Sequence, residues 1–152
     1  MGELIWPPAG VVYLDTNSFI YSVERIDPYR AVLDTLWQSV SAGQVKVVTS
    51  ELTLLEVLVM PLKAGNTLLA SIYRAVLQTV PDVQMLPITQ PVLEEAAKLR
   101  ASTSLKTPDA IHAATAILNG YRSFVTNDSA FRRVTGLTVT VLHEIVPLVN
   151  PG

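Results

Sequence analysis

Short runs rich in apolar and β-branched residues alternate along this chain with longer segments of helical period, and that alternation limits the possible folds more than any other feature. The runs lie at residues 11–14, 45–48, 83–88, 123–125 and 137–142. β-Branched and aromatic residues of this kind favour extended backbone. Between the first two, Val32, Leu33, Leu36, Trp37 and Val40 recur at helical spacing. Leu68, Leu69, Ile72, Tyr73, Val76 and Val80 do so before the third. Strands that alternate with helices imply a parallel sheet covered on both faces. The expected class is therefore α/β, a three-layer α/β/α domain around a central parallel sheet of about five strands.

Local signals punctuate this pattern. Asp27-Pro28 reads as a helix start, with Asp as the cap and Pro at the first helical position. Thr49-Ser50 is a second start and Thr107-Pro108-Asp109 a third. Pro61 is expected to halt one helix and Pro81 another. Residues 1–10 read as a lead-in, 11–146 as the domain and 147–152 as a tail. The last run, with Thr138 and Thr140 alternating, suits a sheet edge.

With 152 residues, one domain with a real core is expected. Hydrophobic residues make up 49% and charged residues 16%, more apolar side chain than so small a domain can bury. The helices around Leu52, Leu55 and Val59 and across residues 62–80 carry the surplus. They predict a covered interface, either a homodimer or a groove for another protein. No apolar run approaches the ~20 residues of a membrane span, and the N-terminal residues lack the pattern of a secretory signal. A cytoplasmic address and no membrane partner are expected. The absence of cysteine excludes disulfides and thiolate zinc sites. A formal net charge of −2 argues against a surface that binds nucleic acid non-specifically. It leaves room for a small site where a divalent cation reverses the local field.

Acids stand at the places where such a sheet does chemistry. Asp15 ends the first run, Asp128 follows the fourth, and Asp109 opens an Ala-rich helix. In open parallel sheets, ligands bind at the carboxyl ends of strands. Each of the three also has an ordinary use as a cap or a dipole partner. Glu56 differs, because Leu54, Leu55, Val57, Leu58 and Val59 surround it in sequence. A helix apolar nearly all round is mostly buried, and a carboxylate there is costly unless paired, for example with Arg25 or Arg100, or bound to a cation. Without a cation, burial should raise its carboxyl above the usual range. Crowded carboxylates repel, and Mg²⁺ or Mn²⁺, which prefer oxygen ligands, would relieve them.

Leu14-Asp15-Thr16-Asn17, Glu56 in its helix, Thr107-Pro108-Asp109-Ala110-Ile111-His112-Ala113-Ala114, and Thr126-Asn127-Asp128 together resemble the successive motifs of PIN-domain proteins. Within that family the pattern is most similar to the VapC-type toxin ribonucleases of toxin–antitoxin pairs. The resemblance spans about residues 11–146 and implies a PIN-like fold and a metal-dependent endoribonuclease. It implies Asp15, Glu56, Asp109 and Asp128 as the catalytic, metal-holding acids, with Thr16, Asn17 and Thr126 as supporting polar residues. RNA would be the substrate, Mg²⁺ or Mn²⁺ the cofactor, and an antitoxin protein the partner.

Lys106, Arg132 and Arg133 flank the expected site and are candidates for RNA phosphate contacts. His112 lies one helical turn after Asp109 and reads first as a packed structural histidine. His143 reads as a surface residue. Two other readings compete. A non-catalytic PIN-like module would keep the acids and work by protein contact. A haloacid-dehalogenase-like phosphatase would also start from Asp15, but it needs a second acid where Asn17 stands.

Overall fold

The computed structural model describes residues 5–149; residues 1–4 of the lead-in and 150–152 of the tail lie outside them. The elements run β1 (Gly10–Leu14), α1 (Thr16–Val23), α2 (Tyr29–Ser41), β2 (Val45–Ser50), α3 (Glu51–Lys63), α4 (Thr67–Thr79), β3 (Val83–Leu86), α5 (Gln90–Thr103), α6 (Thr107–Leu118), β4 (Ser123–Thr126), a 3₁₀ turn (Ser129–Arg133), β5 (Thr138–Val141) and α7 (Leu142–Val149). The five strands form one sheet in the order β3-β2-β1-β4-β5. Every pairing is parallel, with Tyr13 opposite Val48 on one side and Phe124 on the other. The α/β/α architecture with a five-stranded parallel sheet is thus present.

Alternation along the strands separates two cores. Val12, Leu14, Val45, Val47 and Val125 face α1, α2, α3, α4 and α7. Tyr13, Val48 and Phe124 face the layer of α5, α6 and the 3₁₀ turn. Central β1 is covered on both faces, which is why its sequence reads as an unbroken apolar run rather than an alternating one. Ala110, Ala113, Ala114 and Ala116 are fully buried, so the Ala-rich α6 lies close on the sheet. The second core is aromatic at its centre: the rings of Tyr13 and Phe124 stack at 4.8 Å between centroids, and Phe131 packs on Phe124 at 4.6 Å.

Several local expectations are corrected. Pro61 does not halt its helix; it lies buried inside α3, and the helix continues past it to Lys63, with the Ala64 N–H closing on Met60 O at 3.0 Å. Pro28, not Asp27, stands at the cap of α2, and the Asp27 carboxylate instead pairs with Arg30 at 2.8 Å. Lys106 precedes the first residue of α6 and no side chain caps that helix, so Thr107 and Pro108 are already helical and Asp109 is its third residue. The expected strand 83–88 ends at Leu86. The expected tail is helical as far as Val149: α7 follows β5 without a turn, and buried Leu142 and Ile145 pin it to the core. The lead-in is also anchored, since the Trp6 indole N–H donates to Thr35 Oγ1 at 2.7 Å. No helix among the described residues is long and apolar enough to cross a membrane.

Candidate active site

β1 and β4 lie side by side, but the chain makes β2 and β3 between them. Winding reverses at this junction, and the carboxyl ends of the two strands open a crevice there. Asp15 is the first residue beyond β1, and its N–H donates to Val125 O of β4 at 3.2 Å. Its carboxylate caps α1. Oδ1 accepts from the Ser18 N–H at 3.3 Å and the Ser18 hydroxyl at 3.1 Å, and Oδ2 accepts from the Thr126 hydroxyl at the end of β4. Capping and presentation at the crevice are therefore one arrangement, not rival ones. Burial pushes the Asp15 carboxyl up, against the hydrogen bonds of Thr126 and Ser18 and the nearby His112, which pull it down.

Glu56 comes from α3, which Ser50 starts by accepting from the Leu52 N–H at 3.0 Å. Its side chain is about a quarter exposed, at 28%. Its helix is not mostly buried as its sequence suggested: Leu55, Val59 and Met60 face solvent. Nor does an arginine pair with it. Arg25 makes a bidentate pair with Asp34, and Arg100 donates to Leu105 O. The partners of Glu56 are the Thr16 hydroxyl, 2.7 Å from Oε1, and His112 Nε2, 2.8 Å from the same oxygen. Burial raises the Glu56 carboxyl, but the hydrogen bonds from His112 and Thr16 outweigh it, so it sits below the usual range. The expected upward shift is thereby corrected.

A cleft of about 240 Å³ is lined by Asp15, Thr16, Asn17, Glu56, Asp109 and His112, with Ile20 as its apolar wall. Asp109 also borders a neighbouring hollow of about 220 Å³ that holds Asp128, Lys106 and Arg133. Asp128 is exposed and caps the 3₁₀ turn through the Ala130 N–H at 2.9 Å. Burial, then the charges of Asp128 and Glu56, raise the Asp109 carboxyl, while His112 and Lys106 oppose them. The structure thus brings Asp15, Glu56 and Asp109 to one cleft and sets Asp128 next door across Asp109. Arg133 stays at the hollow, whereas Arg132 is turned away into a bidentate pair with Glu144 at 2.7 and 2.6 Å. His143 is exposed, with its N–H on Asn127 Oδ1 at 2.9 Å.

Sequence reasoning did not find the polar scaffold behind these acids. The Tyr13 hydroxyl meets His112 Nδ1 at 2.7 Å, and Thr49, Thr53 and Thr16 form a hydroxyl chain with steps of 2.8 and 3.2 Å. No buried side-chain nitrogen or oxygen among the described residues lacks a partner. The available signals were a tyrosine within an aliphatic run and a histidine within an alanine helix.

A family model described as the PIN domain matches residues 12–137. The chain belongs to the PIN domain family. Solved structures agree with the assignment. A chain of a toxin–antitoxin complex from Klebsiella pneumoniae aligns over 86% of this chain and 96% of its own, with 25% identity and a TM-score of 0.61. A chain of VapBC2 from Rickettsia felis, bound to a DNA fragment from its promoter, aligns over 86% and 98% with 19% identity and a TM-score of 0.63. One of VapBC-5 from Mycobacterium tuberculosis aligns over 89% and 98% with 24% identity and a TM-score of 0.55. Among curated proteins none matches. The likeness to VapC-type PIN domains drawn from the four short motifs is met by the family model and by these neighbours.

Proposed function

We propose that this PIN domain is a divalent-metal-dependent endoribonuclease and the toxin of a toxin–antitoxin pair. The observation that carries the reading is the convergence of Asp15, Glu56 and Asp109, from three separate elements, on one open cleft at the switch point of the sheet. The donor set fits a hard cation. It is made of carboxylate oxygens, and the like charges that raise Asp109 are what a cation would relieve. No three of these groups among the described residues close into a ready cage. Mg²⁺ and Mn²⁺ take oxygen ligands, and Mg²⁺ keeps several waters when bound. When bound, such an ion activates a water and stabilises the oxygen that leaves phosphorus.

The chain's own residues divide the remaining work. Asp15, Glu56 and Asp109 hold the cation, with Asp128 beside them. Thr126 and Thr16 fix the carboxylates they touch. Asn17, exposed at the cleft, contacts the substrate, and Lys106 and Arg133 hold RNA phosphates along the adjoining hollow. Arg132, engaged by Glu144, contributes less. Replacement of Arg133 or Lys106 by Ala should raise KM several-fold with kcat little changed. It should also lower the salt dependence of RNA binding by about 0.7 per lost contact; an unchanged salt slope would remove the residue from the substrate path.

The reading is tested by incubating purified protein with single-stranded RNA and Mn²⁺ or Mg²⁺, with chelator as control. Cleavage that survives chelation, or none with either ion, refutes it. The second outcome would favour the non-catalytic module. The phosphatase reading gains no support, since Asn17 cannot act as an acid.

The partners follow from the surface. Leu55 and Val59, one helical turn apart on α3, are 61% and 46% exposed, and Met60, Leu62 and Leu68 extend the apolar area. A homodimer covers this face. The toxin–antitoxin complexes among the fold neighbours support an antitoxin partner as well, and a cytoplasmic site of action goes with both. Sedimentation at micromolar concentration should show a dimer, and Leu55→Glu with Val59→Glu a folded monomer. A wild-type chain that is monomeric and soluble there would sink the dimer.

A further inference from the structure

We propose that His112, oriented by Tyr13, is a positioning residue that ties down one oxygen of Glu56 and leaves the other free for the cation. The inference rests on the nuclease reading above. Tyr13 is a phenol and keeps its proton at neutral pH. Its hydroxyl lies 2.7 Å from His112 Nδ1, and both residues are buried. That O–H donates to Nδ1, so the ring carries its hydrogen on Nε2. Nε2 in turn points at Glu56 Oε1, 2.8 Å away. The Thr16 hydroxyl donates to the same oxygen at 2.7 Å. Oε1 therefore takes two donors, and no hydrogen bond from any described residue reaches Oε2. The Tyr13 ring is itself fixed, stacked on Phe124 with an interplanar angle of 6°. A rigid aromatic stack, a ring of set tautomer and one hydroxyl thus fix the rotation of a carboxylate that stands on a half-exposed helix. Outer partners that orient a ligand in this way are commonly worth 10- to 100-fold in metal affinity.

The test measures Mn²⁺ binding to the full chain by titration calorimetry, beside melting in chelator and single-stranded RNA cleavage. His112→Leu removes the donor. His112→Gln keeps an N–H near the Nε2 position. Tyr13→Phe leaves the ring but frees its orientation. His112→Leu should weaken Mn²⁺ binding by about tenfold or more and lower kcat with little change in KM. His112→Gln should recover most of both, and Tyr13→Phe should show a smaller loss in the same direction. If His112→Leu does not fold, Tyr13→Phe and His112→Gln decide. A purely structural histidine would lower the chelator melting temperature of the variants yet leave the Mn²⁺ affinity of the folded protein within twofold of wild type, and that result overturns the proposal alone. Failure of the wild-type chain to bind Mn²⁺ overturns both the proposal and the nuclease reading.

Discussion

Asp15→Asn should abolish metal-dependent RNA cleavage while leaving the chain folded. Asn caps a helix as well as Asp does, so its side-chain oxygen can keep the Ser18 N–H at the start of α1. The Thr126 hydroxyl, which donates to the carboxylate, can turn to accept from the amide. What goes is a charge at the mouth of the crevice. Charge stabilisation by a bound cation is worth several kcal/mol, so a loss of about 1,000-fold or more in kcat is expected. Stability moves the other way. Burial raises the Asp15 carboxyl above its unfolded value. Its favourable contribution is therefore complete at acid pH and is lost as pH rises through the folded value. In chelator at neutral pH the variant should melt at or above wild type, by about 2–4 °C for each kcal/mol recovered. Melting curves across pH, with and without Mn²⁺, test this. Full activity in a metal-dependent assay would remove Asp15 from the site.

Glu56→Gln should show the opposite stability sign. The expectation from sequence was a carboxyl raised by burial, whose replacement would leave the metal-free protein as stable or more so. The structure gives Glu56 two donors, and their net effect lowers its carboxyl. A group lowered in this way contributes stability above its unfolded value and loses it as pH falls through the folded one. At neutral pH in chelator, Gln keeps an acceptor for Thr16 and His112 but forfeits the charge, at a cost of about 1 kcal/mol. The difference from wild type should vanish at acid pH, where Glu56 itself is protonated. Cleavage should fall by about 100-fold or more. A variant that melts higher than wild type at pH 7 would mean that desolvation dominates after all. An unchanged Mn²⁺-induced melting shift would take Glu56 out of the cation's reach.

That reversal shows where sequence reading stops. The α/β/α class and the places of Asp15 and Asp128 follow from local order, because strand runs and helix starts are written in adjacent residues. Which helix residue faces which neighbour is not. Glu56 meets a histidine 56 positions away, on an element whose Ala-rich pattern speaks only of close packing. Tyr13 was legible as core and His112 as packed, but their bond joins residues 99 apart. The apolar surplus was readable in total, and its location on α3 was partly foreseen. The loss of Arg132 to Glu144 was invisible, since it depends on α7, a short helix with Pro147 inside it.

The placement of β4 beside β1 also sets a schedule. Asp15 and Thr126, which meet at the crevice, are 111 positions apart, and β1 pairs with β4 through Tyr13 and Leu14 at its carboxyl end. At about 5–20 residues per second of synthesis, Thr126 is made roughly 6–22 s after Asp15. During that interval the nascent chain has its first acid but neither the strand that closes the crevice nor Asp109 and Asp128 for much of the time. The crevice is complete only once both strands that form it, and the acids carried between and beyond them, have been made.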